Sequence, residues 1–174
     1  MTLRNLSLLF ISLFILAACG GGGGGGGSNT PPPTAGCSPS TTNLCITVVG
    51  GKYVVQNSSS AGVSQKTLTL NAGTYTFDQT DSSNVTAAGA YGSARIHQIG
   101  FSTTSDGTFG GGSTYSTGVN TSGSPGSTGK TTIVIDASTP STLYYYCVNH
   151  TGMGGTINIV IGNQSDQVEF TETN

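Results

Sequence analysis

The sequence predicts an all-β fold, a Greek-key β-sandwich, and three observations lead there. Charged residues make up only 7% of the 174 positions, whereas helical bundles and coiled coils need abundant Glu and Lys. Beyond the N-terminal apolar run, no stretch keeps a 3.6-residue apolar period without interruption by Gly or β-branched residues. Short alternating segments separated by Gly, Ser and Asn turns recur instead, the pattern of a sandwich with crossing connections. Hydrophobic residues are 34% of the chain and Gly adds 28 positions, so solubility rests on Ser, Thr and Asn in turns and on wet strand faces. A formal net charge of −2 excludes a charge-driven disordered chain and offers no basic face for nucleic acid.

The first element is an export signal over residues 1–18. Arg4 gives a positive start, Leu6 to Leu16 an apolar run, and Leu16-Ala17-Ala18-Cys19 small residues before a cysteine. A membrane helix is the alternative, but the run is short for spanning and gives way to pure glycine. The segment resembles a bacterial lipoprotein lipobox, which implies cleavage before Cys19, a lipid on its sulfur, and a place at the cell envelope on the periplasmic or surface side, with the outer membrane slightly favoured. Residues 19–36 form the tether, with unbroken glycine from Gly20 to Gly27 and a Pro31-Pro32-Pro33 spacer. Flexible-chain scaling gives this tether a reach of roughly 20 to 25 Å.

The domain is expected over residues 37–165. Ile46-Thr47-Val48-Val49, Gly50-Gly51 and Lys52-Tyr53-Val54-Val55 read as two strands about a tight turn. Thr67 to Leu70 and Tyr75 to Phe77 repeat the alternation, and further strands are expected at Ile96 to Phe101, Thr131 to Asp136, Leu143 to Cys147 and Thr156 to Ile161. The Ser/Thr/Gly-rich stretch from Ser102 to Gly129 reads as loop with one irregular edge strand near Tyr115. Asp166, Glu169 and Glu172 mark a solvated acidic tail over residues 166–174.

Four cysteines have different neighbours. Cys19 takes the lipid, while Cys37 and Cys45 are close at the domain's entrance, where an oxidising compartment favours a disulfide closing a small loop. Cys147 is left alone. It ends a strand and is followed by Val148-Asn149-His150-Thr151-Gly152-Met153-Gly154-Gly155. A soft thiolate, an imidazole and a thioether thus come from one short segment, a donor set that suits copper. A second imidazole is required for a trigonal plane. The other of the two histidines, His97, sits in an apolar strand where it shares a face with Ile99 and Phe101, pointing it inward. Period-two alternation from Cys147 puts Leu143 and Tyr145 inside and Tyr144 and Tyr146 outward.

The spacing Cys147, His150, Met153 with the distant His97 resembles the cupredoxins, the type 1 blue copper proteins, and the short loop is most like the amicyanin pattern. The resemblance covers roughly Ile46 to Ile161. Thr103-Thr104-Ser105-Asp106-Gly107 after the histidine strand also looks like a cupredoxin-like domain of secreted and viral proteins from aquatic microbes. The likeness to the blue copper proteins implies one type 1 copper ion on His97, Cys147, His150 and Met153, no enzymatic activity, and redox proteins as partners of a monomer, whereas the wider group implies a metal less firmly. Gln98 stands where blue copper proteins commonly have Asn, which ties the ligand segments together. In plant-type cupredoxins an aromatic before the ligand cysteine is associated with partner contact, the position of Tyr146. We expect the edge of His150 to be the main port of electron exchange.

Competing chemistries fare worse. Zinc fits less well because Met is not a usual zinc ligand. A binuclear copper centre needs a second loop cysteine, and multicopper oxidases need more than two histidines. Gly126-Ser127-Thr128-Gly129-Lys130-Thr131 looks like the end of a P-loop but precedes a strand, not a helix. A Cys147/His97 hydrolase lacks an orienting carboxylate. A binding or structural module using Ser/Thr-rich loops remains the alternative from a different class, and copper storage is disfavoured by the lack of Met-rich or His-rich tracts.

Overall fold

The computed structural model describes residues 36–86 and 95–162. The signal, Cys19, the tether up to residue 35 and the acidic tail lie outside the described residues. Within them the chain is an all-β sandwich of two mixed sheets. In chain order the strands are β1 (Asn43–Val49), β2 (Lys52–Asn57), β3 (Ser60–Ser64), β4 (Leu68–Asn71), β5 (Gly73–Asp78), β6 (Val85–Thr86), β7 (Arg95–Ile96), β8 (Ile99–Ser102), β9 (Thr114–Tyr115), β10 (Val119–Ser122), β11 (Lys130–Ile135), β12 (Thr142–Cys147) and β13 (His150–Val160). One sheet has the order β10-β11-β5-β1-β2-β3 and the other β4-β13-β12-β8-β9, while β6 and β7 form a separate ribbon.

Local chemistry accounts for the expected strands. Gly50 and Gly51 both take positive φ, +56° and +73°, the conformation of a two-residue turn whose twist suits the β1–β2 hairpin. Each sheet also contains one parallel pair, β1 with β5 and β4 with β13, which requires the chain to cross between sheets rather than meander. The inward faces supply Leu44, Ile46, Val55, Phe77 and Ile133 from the first sheet and Leu68, Phe101, Leu143, Tyr145 and Ile157 from the second. Phe77 meets Phe101 edge-to-face across the gap, with ring centroids 5.1 Å apart, a geometry that adds to simple area burial. Cys37 and Cys45 are disulfide-bonded, with their Cα atoms 5.8 Å apart, fastening the domain's entrance to β1.

Three expectations require correction. The Ile96 to Phe101 strand is broken at His97 and Gln98, which separate β7 from β8: the His97 carbonyl accepts from the Tyr53 and Gln79 side chains and its N–H donates to Asn84 O, outside any ladder. The stretch from Ser102 to Gly129 is more ordered than a loop. It holds a 3-10 turn at Gly107–Gly110, the short edge strand β9 that was expected near Tyr115, and β10 paired to β11. The sequence of β10, Val-Asn-Thr-Ser, has one apolar residue, Val119, packed against the core, so it carries no alternation and is held by the neighbouring ladder. Tyr146 does not face outward to solvent. It is 1% exposed, because the 3-10 turn folds over its face of the sheet and its hydroxyl lies 2.8 Å from Thr114 Oγ1.

Candidate metal centre

His97, Cys147 and His150 come together at one end of the sandwich. Cys147 ends β12 and pairs with Ile99 of β8 on one side and with His150, the first residue of β13, on the other. Its Sγ lies 3.4 Å from His150 Nδ1 and 3.9 Å from His97 Nδ1. All three donor atoms fall within 4.8 Å of one another. A metal about 2.3 Å from sulfur and about 2.0 Å from nitrogen, with angles between tetrahedral and trigonal, needs sulfur–nitrogen edges of about 3.5 to 3.8 Å. The observed edges bracket that range, and the donors present are the ones a metal would use. The group could hold a metal ion.

The segment carrying His97 is held by its backbone and its ring. Its N–H donates to Asn84 O at 2.9 Å. Its carbonyl accepts from the Tyr53 hydroxyl at 2.8 Å and from Gln79 Nε2. Gln79 is fully buried and its Oε1 also accepts from the Ile99 N–H at 3.0 Å and from Gln98 Nε2 at 3.2 Å, so one amide side chain grips both flanks of the break between β7 and β8. Asn84, equally buried, donates to Ile46 O at 2.8 Å and anchors this network to β1. The Thr86 hydroxyl lies 3.0 Å from His97 Nε2, an outer partner that directs the other ring nitrogen, Nδ1, toward the sulfur. Burial, followed by the nearby His150 and Arg95, holds the His97 imidazole below its ordinary pKa. The neutral, ligating form is therefore favoured at neutral pH. Burial above all, with Cys147 beside it, raises the Tyr53 phenol well above its ordinary range and keeps it a hydrogen-bond donor.

The ligand segments are tied to each other, and not through Gln98's side chain, which turns to Gln79, Ile99 O and Thr131 Oγ1. The tie comes from the cysteine side. The Val148 N–H donates to Gln98 O at 2.9 Å, and Asn149 Nδ2 donates to Ile96 O at 2.7 Å. Between the pairs Tyr145–Gly155 and Cys147–His150 the register of β12 and β13 shifts, so Thr151 to Gly154 bulge out of the ladder. Gly154 is required here, because a Cβ on it would stand 1.7 Å from Tyr145 O. The bulge is gripped instead by Asp106, Gln65 and Lys52.

Of the residues expected at the site, His97, Cys147 and His150 form the cluster, with His97 and Cys147 buried and His150 partly exposed. Among the described residues Cys147 is the free cysteine. Met153 is 2% exposed and belongs to the same apolar core as Cys147. Cys19 lies outside the described residues. Sequence reasoning missed Gln79, Asn84, Thr86 and Asp106 as site residues, since each is distant in sequence and of a type common in turns. The signal available for Asp106 was charge scarcity: a carboxylate in a chain that has only seven. Compared with protein-family models and with curated proteins, the chain matches none.

Proposed function

We propose that this chain is a cupredoxin-like protein of the type 1 copper class, held at the bacterial envelope by a lipid on Cys19 and exchanging single electrons with redox proteins. The observation that carries the reading is the convergence of one thiol and two imidazole nitrogens at the end of a β-sandwich. His97, Cys147 and His150 would hold the ion, with Met153 as a weak axial donor. Copper, when bound, would supply one-electron chemistry between Cu(I) and Cu(II). Zinc is the lesser candidate, since a Cys-His-His set completed by a thioether is not a usual zinc environment.

The chain's own residues support that chemistry in two ways. Backbone and side-chain bonds to Asn84, Tyr53, Gln79 and Thr86 fix His97, while ties to Gln98 and Ile96 fix the hairpin of Cys147 and His150. Ligands held this firmly move little between charge states. His150 is the partly exposed ligand, and next to the ligands in sequence Ile96 and Val148 are 44% and 39% exposed, offering an apolar rim for a transient partner. Tyr146, buried beneath the 3-10 turn, has no surface for such contact.

Ile96→Asp and Val148→Asp test the port. Each should leave the visible spectrum of the copper-loaded protein unchanged and slow electron exchange with a small redox protein by about tenfold, a fraction of an apolar contact's worth. Exchange at the parent rate in both variants would reject the His150 port. Failure of the loaded parent chain to exchange electrons at all would favour the binding-module alternative.

A further inference from the structure

We propose that Asp106, Gln65 and Lys52 stand in for the missing strand partner of the bulge after His150, and that Asp106 is a positioning residue for that ligand. The inference rests on the metal reading above, but its first observation does not need a metal. Thr151 to Gly154 leave the β12–β13 ladder where its register shifts, so their polar backbone groups need partners from elsewhere. Asp106 Oδ1 accepts the Gly152 N–H at 2.8 Å and Oδ2 accepts the Thr151 hydroxyl. Lys52 Nζ donates to Gly152 O, and Gln65 Nε2 donates to Gly152 O at 3.1 Å and Gly154 O at 2.8 Å. One glycine, itself at φ +70°, is thus held by an anion on its N–H and a cation on its carbonyl. Hydrogen bonds with a charged partner are the strong ones. In a chain where only 7% of residues are charged, two of them meet at this residue.

Backbone conformation gives a second, independent sign. Among the described residues the non-glycine positions with positive φ are Gln65 at +48° and Asp106 at +59°. Both belong to the clamp. Such conformations persist where the surrounding structure over-determines them, and they gather at functional sites. Lys52 belongs to β2, Gln65 follows β3 and Asp106 lies in the turn after β8, so three segments distant in sequence hold the bulge. The bulge begins at the residue after His150. Its rigidity therefore sets the direction of the His150 ring before any metal arrives, which is how a supporting shell preorganises a site.

Amide hydrogen exchange of the metal-free full chain, read at Gly152 and at Ile133 in the distant β11, tests the clamp. Asp106→Gly removes the carboxylate while accepting the left-handed backbone, and should speed Gly152 exchange by about tenfold or more while leaving Ile133 unchanged. Asp106→Asn keeps an acceptor oxygen and should stay within about threefold of the parent. In the copper-loaded chain, Asp106→Gly should release copper about tenfold faster, the readout that a bulge without influence on His150 would not move. Should Asp106→Gly speed Ile133 exchange as well, Lys52→Met, which leaves the turn intact, makes the same comparison. Unchanged Gly152 exchange, or faster exchange with copper release at the parent rate, overturns the proposal. If the parent chain takes up no copper, the copper reading falls, and Gly152 exchange in the metal-free variants decides the clamp.

Discussion

Met153 is the expected ligand that the group of His97, Cys147 and His150 does not include. Its side chain is 2% exposed and packs in the same apolar core as Cys147, a setting that suits a thioether as filler or as weak donor. Under the copper reading its role is to tune the site. Met153→Leu conserves volume, so folding stability should change by less than about 1.5 kcal/mol. The variant should keep copper and raise the reduction potential, because a donor that favours Cu(II) is lost; redox titration of the loaded variant checks this, and loss of copper would give Met153 a different role. His97 was legible from the sequence because it is one of only two histidines, although the strand alternation that points it inward is broken at its own position. Gln79 and Asn84 were not. A buried amide declares itself only through the backbone groups it meets, and those come from β1, from β8 and from His97 in the break before β8, which no local spacing brings into view.

The elements that bear His97, Cys147 and His150 differ in how clearly the chain announced them. β12 and β13 were visible from Leu143, Tyr145 and Cys147 on one face and from Thr156 to Ile161, and the Cys147–His150 spacing already implied a tight turn. The extent of β13, which begins at His150, was hidden because Thr151 to Gly155 carry no apolar alternation. The cover over Tyr146 was hidden for a related reason. The 3-10 turn at Gly107–Gly110 is written in glycine, whose presence permits close approach without saying to what. Gly107 has φ +57°, and a Cβ there would stand 2.4 Å from Tyr146 Cζ. Gly107→Ala should therefore destabilise the fold by about 2 to 4 kcal/mol, from overpacking together with a left-handed backbone. Denaturant titration against the parent measures it. A loss below about 0.5 kcal/mol would mean that the turn does not pack on Tyr146.

Across the whole molecule the sandwich acts as a frame that brings residues 50 positions apart in sequence, His97 and Cys147, to one end. The first sheet contributes Tyr53 and Lys52, with Gln79 just past the end of β5, and the second contributes β8, β12 and β13. Neither sheet alone completes the site. Under the proposed reading, attachment to the envelope would fall on the tether and Cys19; among the described residues no helix is long and apolar enough to cross a membrane. The fold class was legible because composition and alternation act over the whole chain, and the grouping of His97, Cys147 and His150 because the chain has only two histidines and one cysteine left after the others are assigned. In the proposed reading these donors bind copper through the sulfur of Cys147. The visible absorption spectrum of the chain after addition of one equivalent of Cu(II) tests it most directly. The account predicts an intense sulfur-to-copper charge-transfer band that saturates at one copper per chain and vanishes in Cys147→Ser. A colourless chain, or a band that survives Cys147→Ser, would contradict it.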